Sequence, residues 1–539
     1  MKLTCEGLRD VQAWEKAGVL LPPYDPKALS ERTRQHPLWV HFGIGNIFRI
    51  FIGSIADRLV REGAMDRGVT CVETFDYDVV DKIYTPFDNL VMAVTLNGDG
   101  TREKRVLGIL GEAVKAQSAD PASWVRLKEI FTDPGLQMVS FTITEKGYAL
   151  RNPDGAYFGY VQADMDNGPE KVTGAMGVVT AMLYARYKAG KYPLTLVSMD
   201  NVARNGEKLR ASVLETARVW AEKGHVPAEF VDYVSDEKVV AFPWTMIDKI
   251  TPRPSEDIAA DLMREGIENM QPVITSRHTY IAPFVNAEGP QYLVVEDNFP
   301  NGRPALEKAG VFMADRETVN RSERMKVTAC LNPIHTALGP YDVMLGHELF
   351  ADGMSDPELS RLADLVGYRE GLPVGEDPGI LSPKAFIDEV INERFPNKYL
   401  GDTSQRICTD ASMGMAFRFG ETVKAYVAKD GTAAGLIGIP LAIAGWLRYI
   451  LAVDDAGAPY TLAPDPLVPG IHESFAAIEL GRPETFTDQL RPILSNVNIF
   501  GVDLYQAGIG EKIETIFREE LASPGAVRAT LKKYLDAIQ

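Results

Sequence analysis

The stretch Leu38-Trp-Val-His-Phe-Gly43-Ile-Gly45-Asn-Ile-Phe48-Arg49 decides the fold of the first half of this chain. Its apolar start is typical of a buried strand, and the two glycines then interrupt the strand pattern. An amphipathic segment follows from about Ile47 to Glu62, and a second apolar run covers Val69 to Glu73. Strand, glycine turn, helix and strand together predict the βαβ unit of a parallel sheet.

Further along the chain, the pattern indicates two domains. Strand-like runs at Met138 to Thr144, Leu194 to Met199 and Tyr292 to Val295 alternate with helical stretches. We therefore predict an α/β Rossmann-like N-terminal domain over residues 1–314, with an N-terminal extension. From 315 to 539 we predict a mostly α-helical C-terminal domain. Apolar positions recur there at helical spacing in Pro357–Val366, Ala385–Phe395, Leu436–Leu451 and Ile513–Tyr534.

Composition excludes several classes of protein. A net charge of −18 argues against a nucleic-acid surface, which needs a basic face. The four cysteines are far apart and form no CxxC pair, a usage typical of a reducing cytoplasm. The N-terminus has no apolar signal segment, and the longest uncharged run, from Asp430 to Arg448, is broken by Pro440. We expect a cytoplasmic protein without nucleic-acid or membrane partners, either a monomer or a small homo-oligomer.

The glycine turn predicts a dinucleotide site. Gly43 permits a tight turn, and Gly45 lets a pyrophosphate approach the backbone at a helix N-terminus. Phe48 takes the place of the third glycine of the usual fingerprint, so we expect it to pack under the helix. Glu73 ends the next strand, with Asp76 close behind. An acid at that position binds the ribose hydroxyls of NAD and repels the 2′-phosphate of NADP.

The segment Lys326-Val-Thr-Ala-Cys-Leu-Asn332-Pro-Ile-His335 contains three groups suited to dehydrogenase chemistry. A lysine can accept the proton of an alcohol as hydride leaves, while an amide and an imidazole can stabilise the oxyanion. Taken alone, however, these residues favour a simpler interpretation, in which the lysine is solvated, the asparagine caps a helix and the histidine lies in the core.

Together with other segments, these residues make the chain resemble the polyol-specific long-chain dehydrogenases, the mannitol dehydrogenase family. The shared segments run almost the length of the chain: Leu21–Asp25, His41–Arg49, Thr142–Tyr148, Asp200-Asn201, Asn205-Gly206, Phe242–Pro252, Glu296–Pro304, Arg394-Phe395, Asp402…Arg418 and Trp446–Tyr449. The resemblance implies metal-free, NAD-dependent interconversion of a sugar acid or polyol with its ketose.

The resemblance also implies site residues. Lys326, Asn332 and His335 correspond to the catalytic lysine, asparagine and histidine of the family. Candidate cofactor-binding residues are Gly43, Gly45, Asn46, Ile47, Arg49, Glu73, Asp76, Thr144 and Glu145. Candidate substrate-binding residues are Asn201, Asp248, Lys249, Arg406 and Arg418.

Two further departures from the family pattern sharpen these expectations. The family usually has four residues between its lysine and asparagine, but here there are five, which on a regular helix turns Lys326 away by about 100°. Either the base is another residue or the helix contains a one-residue π-bulge, and we expect the bulge because Pro333 disrupts the ladder there. Gly414 stands where many relatives have a lysine, so Arg418 or Arg406 is expected to supply the missing charge.

Our leading hypothesis is the interconversion of D-fructuronate and D-mannonate, because a uronate carboxylate needs a convergent cation such as Arg418, Arg406, Arg394 or Lys249. A dehydrogenase of neutral polyols such as mannitol or arabinitol is the alternative, and tagaturonate reductase differs from the leading hypothesis only in stereochemistry. A non-catalytic NAD-binding sensor is the hypothesis from another class, favoured only by the displaced Lys326.

Overall fold

The computed structural model describes residues 1–538. They form two compact units, Met1–Asn320 and a second unit that begins at Arg321. The chain passes from one unit to the next inside the helix Arg316–Met325.

All strands of the described chain lie in the first unit. Their bounds are β1 Val19–Leu20, β2 Trp39–Phe42, β3 Val69–Glu73, β4 Val91–Leu96, β5 Arg102–Leu107, β6 Leu110–Lys115, β7 Met138–Phe141, β8 Leu194–Ser198, β9 Val240–Ala241, β10 Thr245–Asp248, β11 Val273–Ile274, β12 Tyr280–Ile281, β13 Phe284–Glu288, β14 Tyr292–Glu296 and β15 Phe312–Ala314.

A six-stranded sheet with the order β6-β3-β2-β7-β8-β9 forms the centre of this unit. Every neighbouring pair in it is parallel. The middle strand β2 is buried along its whole length, as expected for a strand covered on both faces. Val40 and Phe42 face one hydrophobic core, whereas Trp39 faces the other. The predicted Rossmann-like class of this unit is confirmed.

The first unit also contains smaller sheets that the sequence pattern did not predict. A mixed sheet with the order β1-β5-β4-β13 and a three-stranded sheet β10-β14-β15 accompany the parallel one. The expected strand at Tyr292 belongs to the three-stranded sheet, where β14 pairs antiparallel with β10. The sequence of β5 is a run of four charged residues followed by two apolar ones. It therefore lacks the alternation of polar and apolar residues that predicts a strand.

The α-helices of the first unit and of the crossing segment are α1 Val11–Lys16, α2 Pro26–Gln35, α3 Gly53–Arg61, α4 Pro121–Thr132, α5 Thr144–Tyr148, α6 Gly159–Asn167, α7 Ala175–Gly190, α8 Asn205–Glu222, α9 Ala228–Ser235, α10 Glu256–Arg264 and α11 Arg316–Met325. The second unit contains α12 Asn332–Met344, α13 Phe350–Met354, α14 Pro357–Asp364, α15 Pro383–Glu389, α16 Ser404–Ile407, α17 Glu421–Asp430, α18 Gly438–Tyr449, α19 Val468–Ser474, α20 Arg491–Leu494, α21 Val497–Phe500, α22 Gly510–Glu520 and α23 Ala526–Asp536.

The helical class predicted for the second unit is confirmed. One predicted run, Ile513–Tyr534, proves to be two helices, α22 and α23, because Gly525 adopts φ 83° and begins the second. Among residues 1–538, no helix is both long enough and apolar enough to span a membrane.

Single π-helical turns occur repeatedly beside the α-helices. They cover Phe48–Ile52, Val80–Tyr84, Lys326–Cys330, Leu365–Gly371, Val390–Arg394 and Ala416–Gly420. Short 3₁₀ turns lie at Gly7–Arg9, Thr85–Phe87, Leu306–Ala309, Lys398–Leu400, Ala411–Gly414 and Pro483–Thr485.

Candidate active site

The turn after β2 has the geometry of a dinucleotide cradle. Gly43 has φ 87°, and a Cβ atom there would lie 2.1 Å from the carbonyl oxygen of Thr142, so only glycine fits. Gly45 is the opposite case, because a Cβ atom at this position would meet nothing within 4 Å. The open space over Gly45 lies where the pyrophosphate of a dinucleotide approaches the backbone in a Rossmann fold. The turn therefore fits the cofactor that the sequence implied.

Phe48 packs inside the protein, as expected. Its ring lies 4.0 Å from that of His41 at an interplanar angle of 13°, and both residues are fully buried. The imidazole of His41 is in hydrogen-bond contact with Ser140 Oγ at 2.6 Å and Thr142 Oγ1 at 2.8 Å. Burial lowers the pKa of His41 to about 3, so the ring is neutral and serves to hold the turn against the neighbouring strand.

Arg49 and Asn46 stabilise the same turn through hydrogen bonds inside the protein. The guanidinium of Arg49 is fully buried and donates to the carbonyl oxygen of Ala282 at 2.7 Å and to Asn46 Oδ1 at 2.6 Å. Burial lowers the pKa of Arg49 to about 10. Ile47 packs against the core beside them. The structure thus gives Arg49 a supporting position in the turn, and its predicted role in cofactor binding stays a prediction.

Glu73 ends β3 with its carboxylate folded back on the following loop. Its Oε1 accepts hydrogen bonds from the backbone N–H groups of Thr74, Phe75 and Asp76 at 3.0, 2.8 and 3.2 Å. Burial raises the pKa of Glu73, while these donors oppose the shift. Asp76 accepts from the hydroxyl of Thr275 at 2.6 Å. These contacts fix the loop that follows β3, the position of the ribose-binding acid in Rossmann folds.

The loops after β7 and β8 are joined by a buried aspartate. Asp200 accepts from the backbone N–H groups of Ile143 and Thr144, both at 2.9 Å, and from the hydroxyl of Tyr148 at 2.6 Å. Thr144 adopts the left-handed backbone angle φ 62°, and its N–H group is one of those that donate to Asp200. Glu145 is exposed and forms an ion pair with Lys208. Asp200 lies in one of the segments shared with the family, but its sequence pattern did not predict this role.

Among the candidate substrate residues of the first unit, Asn201 follows Asp200 directly and is exposed, and Asp248 ends β10 partly exposed. Lys249 donates through Nζ to the carbonyl oxygen of Glu288 at 2.7 Å. That bond directs its ammonium group to the backbone at the end of β13.

The segment from Lys326 to His335 contains the distortion that the residue count predicted. Lys326–Cys330 is a π-helical turn, Leu331 leaves helical geometry at φ −133°, and α12 begins at Asn332 with Pro333 in its first turn. Lys326 is 2% exposed. Asn332 Oδ1 is buried and accepts no hydrogen bond from the described residues, an uncommon condition for a buried polar atom.

His335 lies between aromatic rings and close to three arginines. Its imidazole stacks on Phe395 with ring centroids 5.2 Å apart and meets the edge of Phe350 at 4.7 Å. Burial holds the pKa of His335 well below its ordinary value, and the charges of the nearby arginines lower it further. In order of effect these are Arg406, Arg418 and Arg394. A neutral imidazole can donate one N–H to a substrate oxygen.

The three arginines differ in how they are held. Arg406 is exposed and directs Nε and Nη2 to the carboxylate of Asp402. Arg394 is 2% exposed and lies at the end of the π turn Val390–Arg394. Arg418 is partly exposed and donates from Nη1 to Thr336 Oγ1 at 2.8 Å. Neither Phe350 nor Thr336 carried a signal in the sequence, because each becomes significant only through its neighbours in space.

The structure thus groups the predicted residues in each unit separately. In the first, the predicted cofactor residues follow the carboxyl ends of β2, β3 and β7, where ligands bind in open α/β sheets. In the second, the charges of Arg406 and Arg418 lower the pKa of His335. Lys326, Asn332 and His335 follow one another along the chain there.

Comparison with known proteins agrees with this arrangement. The profile of the mannitol dehydrogenase Rossmann domain matches residues 38–308, and that of the mannitol dehydrogenase C-terminal domain matches residues 318–519. The chain belongs to the mannitol dehydrogenase family. The resemblance read from the sequence is therefore confirmed, and the chain is an oxidoreductase of the polyol and sugar-acid dehydrogenase type.

Three members illustrate the range of the mannitol dehydrogenase family. A D-mannonate oxidoreductase from Thermotoga maritima is 50% identical over 536 residues, which is 99% of each chain. A polyol:NADP oxidoreductase from Gluconobacter oxydans is 31% identical over 82% of this chain and 85% of its own. The solved ternary complex of Pseudomonas fluorescens mannitol 2-dehydrogenase with NAD and D-mannitol superimposes with a TM-score of 0.73 at 25% identity, covering 99% of this chain and 100% of that one.

Proposed function

We propose that this protein is an NAD(H)-dependent oxidoreductase that interconverts D-fructuronate and D-mannonate. The observation that carries the proposal is the presence of Arg394, Arg406 and Arg418 around His335. The 50% identical relative from Thermotoga maritima, a D-mannonate oxidoreductase, supports it.

The arginines favour a sugar acid over a neutral polyol for an electrostatic reason. Their positive charges repel one another, and those of buried Arg394 and partly buried Arg418 are poorly hydrated, whereas exposed Arg406 is paired with Asp402. A bound carboxylate offsets that repulsion, whereas a hydroxyl group does not. A site that binds only neutral polyols gains hydrogen bonds from these arginines but no compensation of their charge.

The residues of the cofactor turn fit NAD. Gly43 and Gly45 suit the approach of a pyrophosphate to the backbone, and Glu73, the acid at the end of β3, would repel a 2′-phosphate on the ribose. The related mannitol 2-dehydrogenase was solved with NAD, whereas the Gluconobacter enzyme is named for NADP. Glu73 is the feature that favours NAD here.

In the proposed mechanism the second unit handles the substrate oxygen and its proton. Bound NAD would supply the hydride acceptor for the substrate carbon, and NADH the hydride donor for the reverse direction. Lys326 removes the proton of the substrate hydroxyl during oxidation and returns it during reduction. Asn332 and the neutral His335 stabilise the negative charge that develops on the same oxygen. The π turn provides the local rotation that the longer spacing from Lys326 to Asn332 requires.

The remaining substrate contacts are also proposals. Asn201 and Asp248 suit the sugar hydroxyls, and Thr144 and Glu145 suit the nicotinamide end of the cofactor. We further infer a cytoplasmic enzyme that works as a monomer or small homo-oligomer and uses no metal. Its described cysteines, Cys5, Cys71, Cys330 and Cys408, are all free thiols, as a reducing compartment favours.

The proposal is tested by following NADH consumption with D-fructuronate, D-tagaturonate, D-fructose and D-xylulose in parallel. We expect the highest kcat/KM with D-fructuronate, and measurable turnover of D-mannonate with NAD. A higher kcat/KM with a neutral ketose would identify a polyol dehydrogenase, and preference for tagaturonate would identify the stereochemical relative. Cofactor binding without turnover of any of these compounds would indicate the non-catalytic sensor.

A further inference from the structure

The charge of Arg418 has no carboxylate counterpart among the described residues. Arg418 is partly buried, and its one hydrogen bond goes to the neutral hydroxyl of Thr336. Within residues 1–538 it forms no salt bridge. Burial lowers the pKa of Arg418, and no neighbouring carboxylate opposes that shift. Buried or partly buried guanidinium groups are normally paired, so an unpaired one costs stability unless a ligand completes it.

Arg406, by comparison, already has its partner. Its Nε and Nη2 both point to the carboxylate of Asp402, four residues earlier on the chain. A guanidinium that binds a carboxylate through its Nε/Nη2 edge has its charge compensated, and only its Nη1 side remains to donate to a ligand. Arg406 still contributes charge to the neighbourhood of His335, whereas Arg418 retains donors for a ligand.

The position of the Arg418 guanidinium depends on a glycine one turn earlier. A Cβ atom on Gly414 would lie 2.3 Å from Nε and 2.5 Å from Cζ of Arg418. The guanidinium thus occupies the space that any other side chain at 414 would take. Gly420, at the end of the same π turn, packs against the Phe500 carbonyl, where a Cβ would come within 1.8 Å. The backbone around Arg418 consequently has little freedom to move aside.

The bond from Arg418 to Thr336 connects this arrangement to the catalytic helix. Thr336 directly follows His335 in α12. With Nη1 held by Thr336 Oγ1, the other donors of the guanidinium remain for a planar anion beside His335.

We propose that Gly414 and Arg418 form a single carboxylate-recognition unit, in which the absence of a side chain at 414 allows the Arg418 guanidinium to bind the carboxylate of a sugar acid. The inference rests on the proposed function, because it names the residue that separates uronates from neutral ketoses. Arg418 is a binding residue in this scheme, and Gly414 positions it.

The test is a double-mutant cycle of Gly414→Ala and Arg418→Ala. The measured quantity is the ratio of kcat/KM for D-fructuronate to kcat/KM for D-fructose. Arg418→Ala is expected to lower this ratio about 100-fold, the loss of a charge-assisted hydrogen-bond pair. Gly414→Ala displaces the guanidinium without removing it, and we expect a KM for D-fructuronate raised about tenfold with the Kd for NADH retained. Gly435→Ala is the matched control, since a Cβ there meets nothing within 4 Å.

The cycle distinguishes recognition from a merely structural effect. If Gly414 acts only through Arg418, then adding Gly414→Ala to Arg418→Ala causes no further change in the ratio. Guanidinium ion added to Arg418→Ala should restore part of the D-fructuronate activity. This rescue tests the role of the guanidinium group even where D-fructose turnover is too slow to give a ratio. Additive effects, an unchanged ratio in Arg418→Ala or absence of rescue would overturn the inference. A wild-type protein inactive with D-fructuronate would instead refute the proposed function and this inference together.

Discussion

Glu520 is fully buried at the end of α22, and its protonation can be deduced from its partners. The hydroxyl of Tyr341 lies 2.7 Å from Glu520 Oε1 and 2.8 Å from the carbonyl oxygen of Leu441. A phenol has one hydrogen and a carbonyl only accepts. Both contacts are therefore satisfied when Glu520 carries a proton and donates to Tyr341, which donates to Leu441. Burial raises the pKa of Glu520 to about 8, in agreement with this count.

Replacing Glu520 by glutamine keeps a donor toward Tyr341 and removes the titration. The pKa of Glu520 rises from 4.5 to about 8 on folding. At about 1.4 kcal/mol per pKa unit, wild-type protein loses roughly 4 kcal/mol of unfolding free energy as pH rises from 4.5 to 8. The unfolding free energy falls as pH rises because the unfolded chain releases the proton of Glu520 while the folded chain still retains it. Glu520→Gln does not lose this free energy. When each protein is compared with its own stability at pH 4.5, the unfolding free energy of the variant at pH 7 therefore exceeds that of wild type by roughly 3 kcal/mol.

Hydrogen exchange of the backbone amides in Gly510–Glu520, measured from pH 5 to 8.5, reports the opening free energy of this part of the chain. Buried Asp342, whose pKa burial also raises to about 8, titrates in both proteins and cancels in the difference. Glu519→Gln is the control, because that side chain pairs with Lys533 at the surface. Parallel pH profiles for wild type and Glu520→Gln would show that Glu520 is ionised in the folded protein and would refute the reasoning.

Three further predictions concern catalysis and the cofactor. Lys326→Ala should lower kcat by about 10²–10⁴-fold while the Kd for NADH, measured by fluorescence, stays within about twofold; substantial residual turnover would assign the base elsewhere. Gly43→Ala should destabilise the first unit in thermal unfolding, because its Cβ meets the Thr142 carbonyl. Gly45→Ala should fold normally yet bind NADH at least about tenfold more weakly; equal behaviour of the two variants would contradict the cradle geometry. Dialysis against a chelator should leave kcat/KM unchanged, and recovery that requires added zinc or magnesium would disprove metal-free chemistry.

Features that depend on neighbours along the chain were predictable from the sequence. Gly43 and the burial of Phe48 follow from the strand, the glycines and the helix in one short segment. The π turn at Lys326–Cys330 followed from counting one extra residue before Pro333. These predictions succeeded because a tight turn and a change of helical register are constrained by residues only a few positions apart.

Other features depend on partners that the sequence does not place. Arg49 is buried because its guanidinium meets the carbonyl of Ala282, 233 positions later. Glu73 was identified as an acid at the end of a strand, but its use of the following backbone N–H groups depends on the exact path of the loop. The sequence offered the three arginines near His335 as candidates, but only the fold brings Asp402 to Arg406 and leaves Arg418 without a carboxylate among the described residues.

The π turns have a consequence for how such enzymes diversify. Arg49, Lys326, Arg394 and Arg418 each lie in one of these turns, and each turn accommodates one more residue than an α-helical turn of the same span. Insertion or removal of a single amino acid in these helices re-aims the residues beyond it by about 100° while the rest of the scaffold persists. Changes of chain length therefore alter these sites as directly as substitutions do. Directed-evolution libraries for new sugar substrates should vary the number of residues in these turns as well as their identity.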